Sequence, residues 1–187
     1  MIGKGAWGSA IASLLGRNEH EVAFLQRDDK TWPNEDPGEM VFLAIPCQNL
    51  RQRLESLPDP KLPVVSLIKG IEIDRFLRVT EIIRSVWSNA AVATISGPSF
   101  ASEVIENAPT AAVVASDDEA LAIRIQDAVH QKLFRLYRST DLVGVELGGA
   151  LKNVYALAGG MCSGLGIGEN GMAALMTRSL AEMSRIA

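Results

Sequence analysis

The amino-acid sequence predicts an α/β protein, a doubly wound and mostly parallel sheet followed by the first helices of an all-α domain. Three observations carry this expectation. Short apolar runs alternate with helical patterns as far as about Thr140, the rhythm of strands joined by covering helices. A glycine-rich turn, Gly3-Lys4-Gly5-Ala6-Trp7-Gly8, stands at the start of the first helical pattern. Beyond Thr140 the alternation stops and two long helical patterns follow. The expected division is residues 1–140 for the sheet domain and 141–187 for the start of an incomplete helical domain.

The elements follow in order. Met1-Ile2 is a remnant of a first strand. Ala10, Ile11, Leu14 and Leu15 form the apolar face of a helix, which Gly16 and Asn18 end. Glu21–Leu25 reads as a second strand. Met40–Ile45 is a strand stopped by Pro46, and Gln48–Leu57 is a helix. Pro63–Ile68 is a strand ending at Lys69-Gly70, and Asp74–Trp87 is a helix. Ala91–Ile95 is a strand ending at Ser96-Gly97-Pro98, after which Ser99 is the expected N-cap of a short helix to Glu106. Thr110–Ala115 is a strand, Asp117–Val129 a helix with acids at its positive end, and Phe134–Tyr137 a last strand. Leu142–Ala158 and Gly171–Ile186 are helical, joined by a Gly-rich stretch from Gly159 to Gly171. The segment Asp28–Gly38 is short for a crossover between parallel strands; either it is compressed or the strand order differs.

Composition excludes several classes. The net charge is −4 and no basic stretch stands out, which argues against nucleic-acid binding. No long apolar run opens the chain, so no membrane span is expected. Cys47 and Cys162 lie far apart without metal-ligand spacing, fit free thiols in a reducing compartment, and lead to a cytoplasmic expectation. No metal site is expected.

The spacing Gly3-x-Gly5-x-x-Gly8 is the Rossmann dinucleotide fingerprint. Gly3 allows a tight turn, Gly5 lets backbone approach a pyrophosphate, and Gly8 lets helix and sheet pack closely. Free N–H groups at the helix start would hold the anion. At the end of the second strand, Arg27 suits the 2′-phosphate of NADP, while Asp28 keeps NAD open. Ligands of open α/β sheets sit outside the carboxyl ends of the strands. Pro46, Lys69-Gly70 and Ser96-Gly97-Pro98-Ser99 stand at such ends. Each also has a plain structural reading, as a strand stop, a solvated turn and a helix cap. In Gly144–Gly160, Lys152 and Asn153 interrupt an apolar, small-residue helix. A desolvated lysine has a pKa suited to proton transfer; the alternative is a lysine snorkelling to Glu146. His20 and His130 need no catalytic explanation.

With these residues in view, the chain resembles the bacterial type of NAD(P)-dependent glycerol-3-phosphate dehydrogenase. The matching stretches are GKGAWG, NEHEV from Asn18, FLAIP ending at Pro46, IKGIE from Ile68, SGPSFASEV from Ser96, and the block from Gly144 through ELGGALKN to Arg185. The resemblance implies hydride transfer between NAD or NADP and dihydroxyacetone phosphate, giving sn-glycerol 3-phosphate for glycerophospholipid synthesis. It implies that Lys152 exchanges the proton of the alcohol, that Asn153 orients substrate or lysine, and that Lys69 contacts cofactor and substrate. Gly97 and Ser99 would bind substrate. Ala101, Ala6, Trp7 and Arg27 would touch the dinucleotide, with Gly3, Gly5, Gly8 and Pro46 around it. The substrate is a small molecule, and a second copy of the chain is a candidate partner.

Three departures from the family pattern stand out: the reduced first strand, the short Asp28–Gly38 segment, and an end at Ala187 before the rest of the helical domain. With that part would go an aspartate and an Arg-Asn pair of the site. A nucleotide-binding fragment without turnover, or a related Rossmann reductase of another hydroxy acid, are therefore the alternatives.

Overall fold

The computed structural model describes residues 1–32 and 38–186. Five strands form one sheet in the order β1 (Val41–Leu43), β2 (Val64–Ser66), β3 (Val92–Ser96), β4 (Thr110–Ser116), β5 (Phe134–Ser139). Four pairs join them, parallel except between β3 and β4. The sheet is doubly wound and mostly parallel, as the alternating pattern requires.

Alternate residues of each strand feed opposite faces. Phe42, Val65, Ala93, Ile95 and Val114 pack with α1 (Ala6–Arg17), α4 (Ala101–Ile105) and α5 (Glu119–Val129). Val41, Leu43, Val64 and Val92 pack with α2 (Leu50–Glu55) and α3 (Val79–Val86). Continuous burial along β1, β2 and β3 follows from having helices on both sides.

The expected first and second strands are each reduced to one bridged residue. Ile2 pairs in parallel with both Leu25 and Leu43. It donates to Phe42 O at 2.8 Å and accepts from Ala44 N at 2.8 Å, while Leu25 N donates to Met1 O. Ile2 therefore lies between the second strand and β1. The strand order departs from the chain order, and the connection out of Leu25 crosses Ile2. The centre of the Asp28–Gly38 segment, residues 33–37, lies outside the described residues.

Four expected boundaries are corrected. Gln48–Leu57 is a 3-10 turn, Cys47–Asn49, followed by α2. Asp74–Trp87 is helical only over α3, because Ile71 pairs antiparallel with Arg78 and Phe76 turns the chain at φ +55°. Arg78 N then caps the helix by donating to Glu81 Oε2 at 2.8 Å. Ser99 is not the N-cap of α4; extended Phe100 holds that position, and the Ser99 hydroxyl donates instead to Gly97 O at 3.4 Å. The Gly-rich stretch does not break the first long helix. α6 runs Leu142–Gly164 and α7 runs Glu169–Ile186. Gly159 sits inside α6 facing Met172 of α7, where a Cβ would make ordinary contact with the sulfur at 3.9 Å.

Candidate active site

The glycine turn has the geometry of an anion cradle. Gly3 takes φ +104°, and a Cβ there would lie 2.3 Å from Ala44 O; only glycine fits. A Cβ on Gly8 would lie 2.2 Å from Gly3 O, which fixes α1 tightly against the turn. Gly5 is the opposite case. No atom lies within 4 Å of its absent Cβ, so the space in front of α1 is open. The helix starts at Gly5 without a side-chain cap and without an acid in its first turn, leaving its positive end for an outside anion.

Beside this turn lies a cleft of about 310 Å³ lined by Trp7, Pro46, Cys47, Lys69, Ser99 and Ala101. Trp7, Pro46, Lys69, Ser99 and Ala101 are residues that the sequence singles out for a site, and Cys47 stands among them. Burial, then Glu72 and Glu146, push the Cys47 thiol up, so it is a packed thiol rather than a nucleophile. Both cysteines are free. The Lys69 ammonium stands 5.6 Å from the Trp7 ring centroid, a cation–π approach. Among the described residues, the buried Trp7 Nε1 has no hydrogen-bond acceptor. A buried donor without a partner is costly, and a ligand in the cleft would supply the acceptor. The open Gly5, the uncapped α1 and this N–H all fit a dinucleotide.

Lys69, which lines the cleft, meets a second lysine. Lys69 follows β2, where Ile68 N donates to Ser66 Oγ at 3.1 Å. Lys152 lies in the third turn of α6. Both donate to one acceptor, Gly97 O, at 3.3 Å and 3.5 Å. Gly97 itself is wedged on β4, since a Cβ there would lie 2.9 Å from Ala112 Cα. Burial first, then the charge of Lys152, lower the Lys69 pKa from 10.5 to about 8. This proximity is the effect expected of two lysines sharing a site.

A second cavity, about 550 Å³, opens on the other side of Gly97 and Lys152, between α6, α7 and the sheet. Its wall is largely apolar, with Val145, Met172, Leu175, Met176, Leu180 and Met183. Asn153 is exposed and lines neither cavity, and Arg27 is exposed at the end of the second strand.

Lys152 does not snorkel to Glu146. Glu146 is buried and taken by another element, accepting from Thr80 N at 2.8 Å, Thr80 Oγ1 at 2.6 Å and Arg78 Nη1 at 2.7 Å. Burial pushes its carboxyl up, while the bonds from Thr80 and Arg78 pull it down. This clamp holds α6 on the start of α3. It was not foreseen from the sequence, because its partners lie 66 and 68 residues apart and neither Arg78 nor Thr80 belongs to a motif.

Fold and cradle define a Rossmann-type protein with a dinucleotide turn and a two-lysine site at the carboxyl edge of its sheet. A family model described as the NAD-dependent glycerol-3-phosphate dehydrogenase N-terminus matches residues 35–122, and the C-terminus model of that family matches 141–187. The chain belongs to the NAD-dependent glycerol-3-phosphate dehydrogenase family. Among curated relatives, glycerol-3-phosphate dehydrogenase (NAD(P)+) of Azotobacter vinelandii is 39% identical over 219 residues, covering 100% of this chain and 64% of that protein. The protein of the same name from Desulfovibrio desulfuricans is 41% identical over 218 residues, covering 100% and 66%. The crystal structure of glycerol-3-phosphate dehydrogenase from Coxiella burnetii superposes with a TM-score of 0.85 at 29% identity, covering 99% of this chain and 66% of that one. The chain thus spans less than two thirds of the length of the first of these relatives. The two curated alignments run over 219 and 218 positions against 187 residues here, so these relatives also carry residues without a counterpart inside the matched stretch. Among the described residues, no helix is long and apolar enough to cross a membrane.

Proposed function

We propose that this chain carries the cofactor site, and the lysine-bearing part of the substrate site, of an NAD(P)-dependent dehydrogenase. Its reaction is the interconversion of dihydroxyacetone phosphate and sn-glycerol 3-phosphate, in the cytoplasm, in supply of glycerophospholipid synthesis. Residues 1–140 serve the cofactor, and 141–187 begin the substrate region. The observation that carries this reading is the convergence of Lys69 and Lys152 on Gly97 O, beside a cleft with a dinucleotide cradle.

Gly3, Gly5, Ala6, Trp7 and Gly8 would hold the pyrophosphate and nearby groups, Arg27 the adenosine side, and Pro46, Lys69 and Ala101 the side toward the reaction. Bound there, the dihydronicotinamide supplies the hydride. Lys152 and Lys69 then act on the substrate oxygen. Negative charge grows on that oxygen as the ketone is reduced, and two ammonium groups stabilise it. Lys152 donates the proton that completes the alcohol; in the reverse direction its neutral amine takes that proton back. Gly97 and Ser99 place the substrate, and Asn153, on the adjacent exposed face of α6, assists when substrate reaches that side.

The test is oxidation of NADPH and NADH by dihydroxyacetone phosphate, with dinucleotide binding measured in parallel. Turnover that Lys152→Ala abolishes while binding persists is the expected result. Turnover that survives Lys152→Ala overturns the assignment. A second reading, nucleotide binding without turnover, is favoured by the largely apolar wall of the larger cavity, which holds no arginine for a substrate phosphate among the described residues. Binding without turnover in this chain would support it.

A further inference from the structure

The dinucleotide reading leaves one residue of the glycine turn unused, Lys4. Its ammonium lies 5.4 Å from the centroid of the Phe24 ring, so the side chain leans toward the second strand. The register explains this. Ile2 and Leu25 are a parallel pair, and two residues further along the two chains stand Lys4 and Arg27. Both are exposed, and among the described residues neither has an ion-pair partner.

The turn after Leu25 is held in place by other groups. Asp29 accepts from Gln26 N at 2.8 Å, and Arg53 donates to Gln26 O at 2.8 Å and Asp29 O at 2.7 Å. The Asp29 carboxylate is thus engaged within its own turn. Selection of an unphosphorylated ribose needs an acid at the end of the second strand. Here the strand runs out into Gln26 and Arg27, and among the described residues the Asp28 carboxylate has no hydrogen bond or ion pair. Two unpaired cations on adjacent chains, one a point charge and one a planar fork, suit a phosphate dianion better than a pair of hydroxyls.

We infer that Lys4 is a specificity-determining residue which, with Arg27, receives the 2′-phosphate of the dinucleotide, so that this chain prefers NADPH to NADH. The inference rests on the dinucleotide reading above and adds the choice between its two cofactors.

Calorimetric titration of the 187-residue chain with NADPH and with NADH at low salt tests it. NADPH should bind roughly tenfold or more tightly, the size of a charge-assisted contact, and added salt should narrow the ratio. Lys4→Met should weaken NADPH severalfold and leave NADH unchanged; Lys4→Arg should keep the preference. Among the described residues the Lys4 side chain makes no hydrogen bond, and circular dichroism of the variants checks that they fold. Equal affinity for both dinucleotides, or an equal loss of both in Lys4→Met, overturns the inference and leaves the cofactor site standing. Binding of neither dinucleotide overturns both.

Discussion

The ammonium groups of Lys69 and Lys152 share one acceptor, the carbonyl oxygen of Gly97, at 3.3 Å and 3.5 Å. They come from elements 83 positions apart in the numbering, one after β2 and one within α6. The charge of Lys152 raises the cost of charging Lys69. Removing Lys152 as Lys152→Met should therefore raise the Lys69 pKa above about 8, yet leave it below 10.5, because burial is the larger cause of its shift. The pH dependence of amine labelling at Lys69 measures this. An unchanged value would show that the two charges are not coupled.

The same shift makes stability depend on pH. Between about 8 and 10.5 the unfolded chain keeps a proton on Lys69 that the folded chain has released. Stability therefore rises with pH across that window, and the cost of burying the charge is felt in full below it. Lys69→Met should be more stable than the parent at pH 7, with the advantage shrinking toward pH 10.5. Urea midpoints at several pH values check the sign.

Identical substitutions in the glycine turn should act oppositely. Gly8→Ala places a methyl 2.2 Å from Gly3 O and 3.0 Å from Ala44 Cβ, and should cost about 1–3 kcal/mol of stability. Gly5→Ala meets nothing within 4 Å and should change stability by about 0.5 kcal/mol or less. Its methyl instead enters the open space before α1, so dinucleotide affinity should fall at least severalfold. Thermal melts and titrations on the two variants separate the effects.

Glu146→Gln keeps the shape of the side chain but removes the charge that Arg78 and both Thr80 donors face. A loss of about 2–3 kcal/mol is expected. The seat of α6 should loosen, so hydrogen exchange in its first turns should quicken more than in α5. Exchange unchanged in α6 would show that the clamp does not hold it.

Much of this was legible in the sequence because the signals are local. The glycine spacing, the apolar face of α1, and the residues that end β1, β2 and β3 need only their neighbours to be read. Lys69 and Lys152 stand out because lysine is costly in apolar surroundings. What was missed depends on contacts across the chain. Trp7 Nε1 is notable only once burial denies it an acceptor. Ser99 has the residue type of a cap, but the chain stays extended for one more residue. The Asp74–Trp87 pattern starts early because periodicity does not register the Ile71–Arg78 pair. Arg78, Thr80 and Glu146 carry no motif, and the fold alone brings them together.

The antiparallel pairing of β3 with β4 has a further consequence. Because β5 runs with β4, Ser139 ends level with Thr94, through Ala115, and α6 must turn back and travel along β3 toward its carboxyl edge. From Leu142 to Gly149 the helix advances about 10 Å, and at Gly149 it touches down on Ser96, where a Cβ would lie 2.5 Å from the serine hydroxyl. One turn later Lys152 reaches Gly97 O. The first turns of α6 are in effect a measuring rod, with the Glu146 clamp as its zero mark. Adding or deleting one residue between Gly149 and Lys152 would swing the lysine by about 100° around the helix axis, away from Lys69, while the contact of Gly149 with Ser96 stays in place.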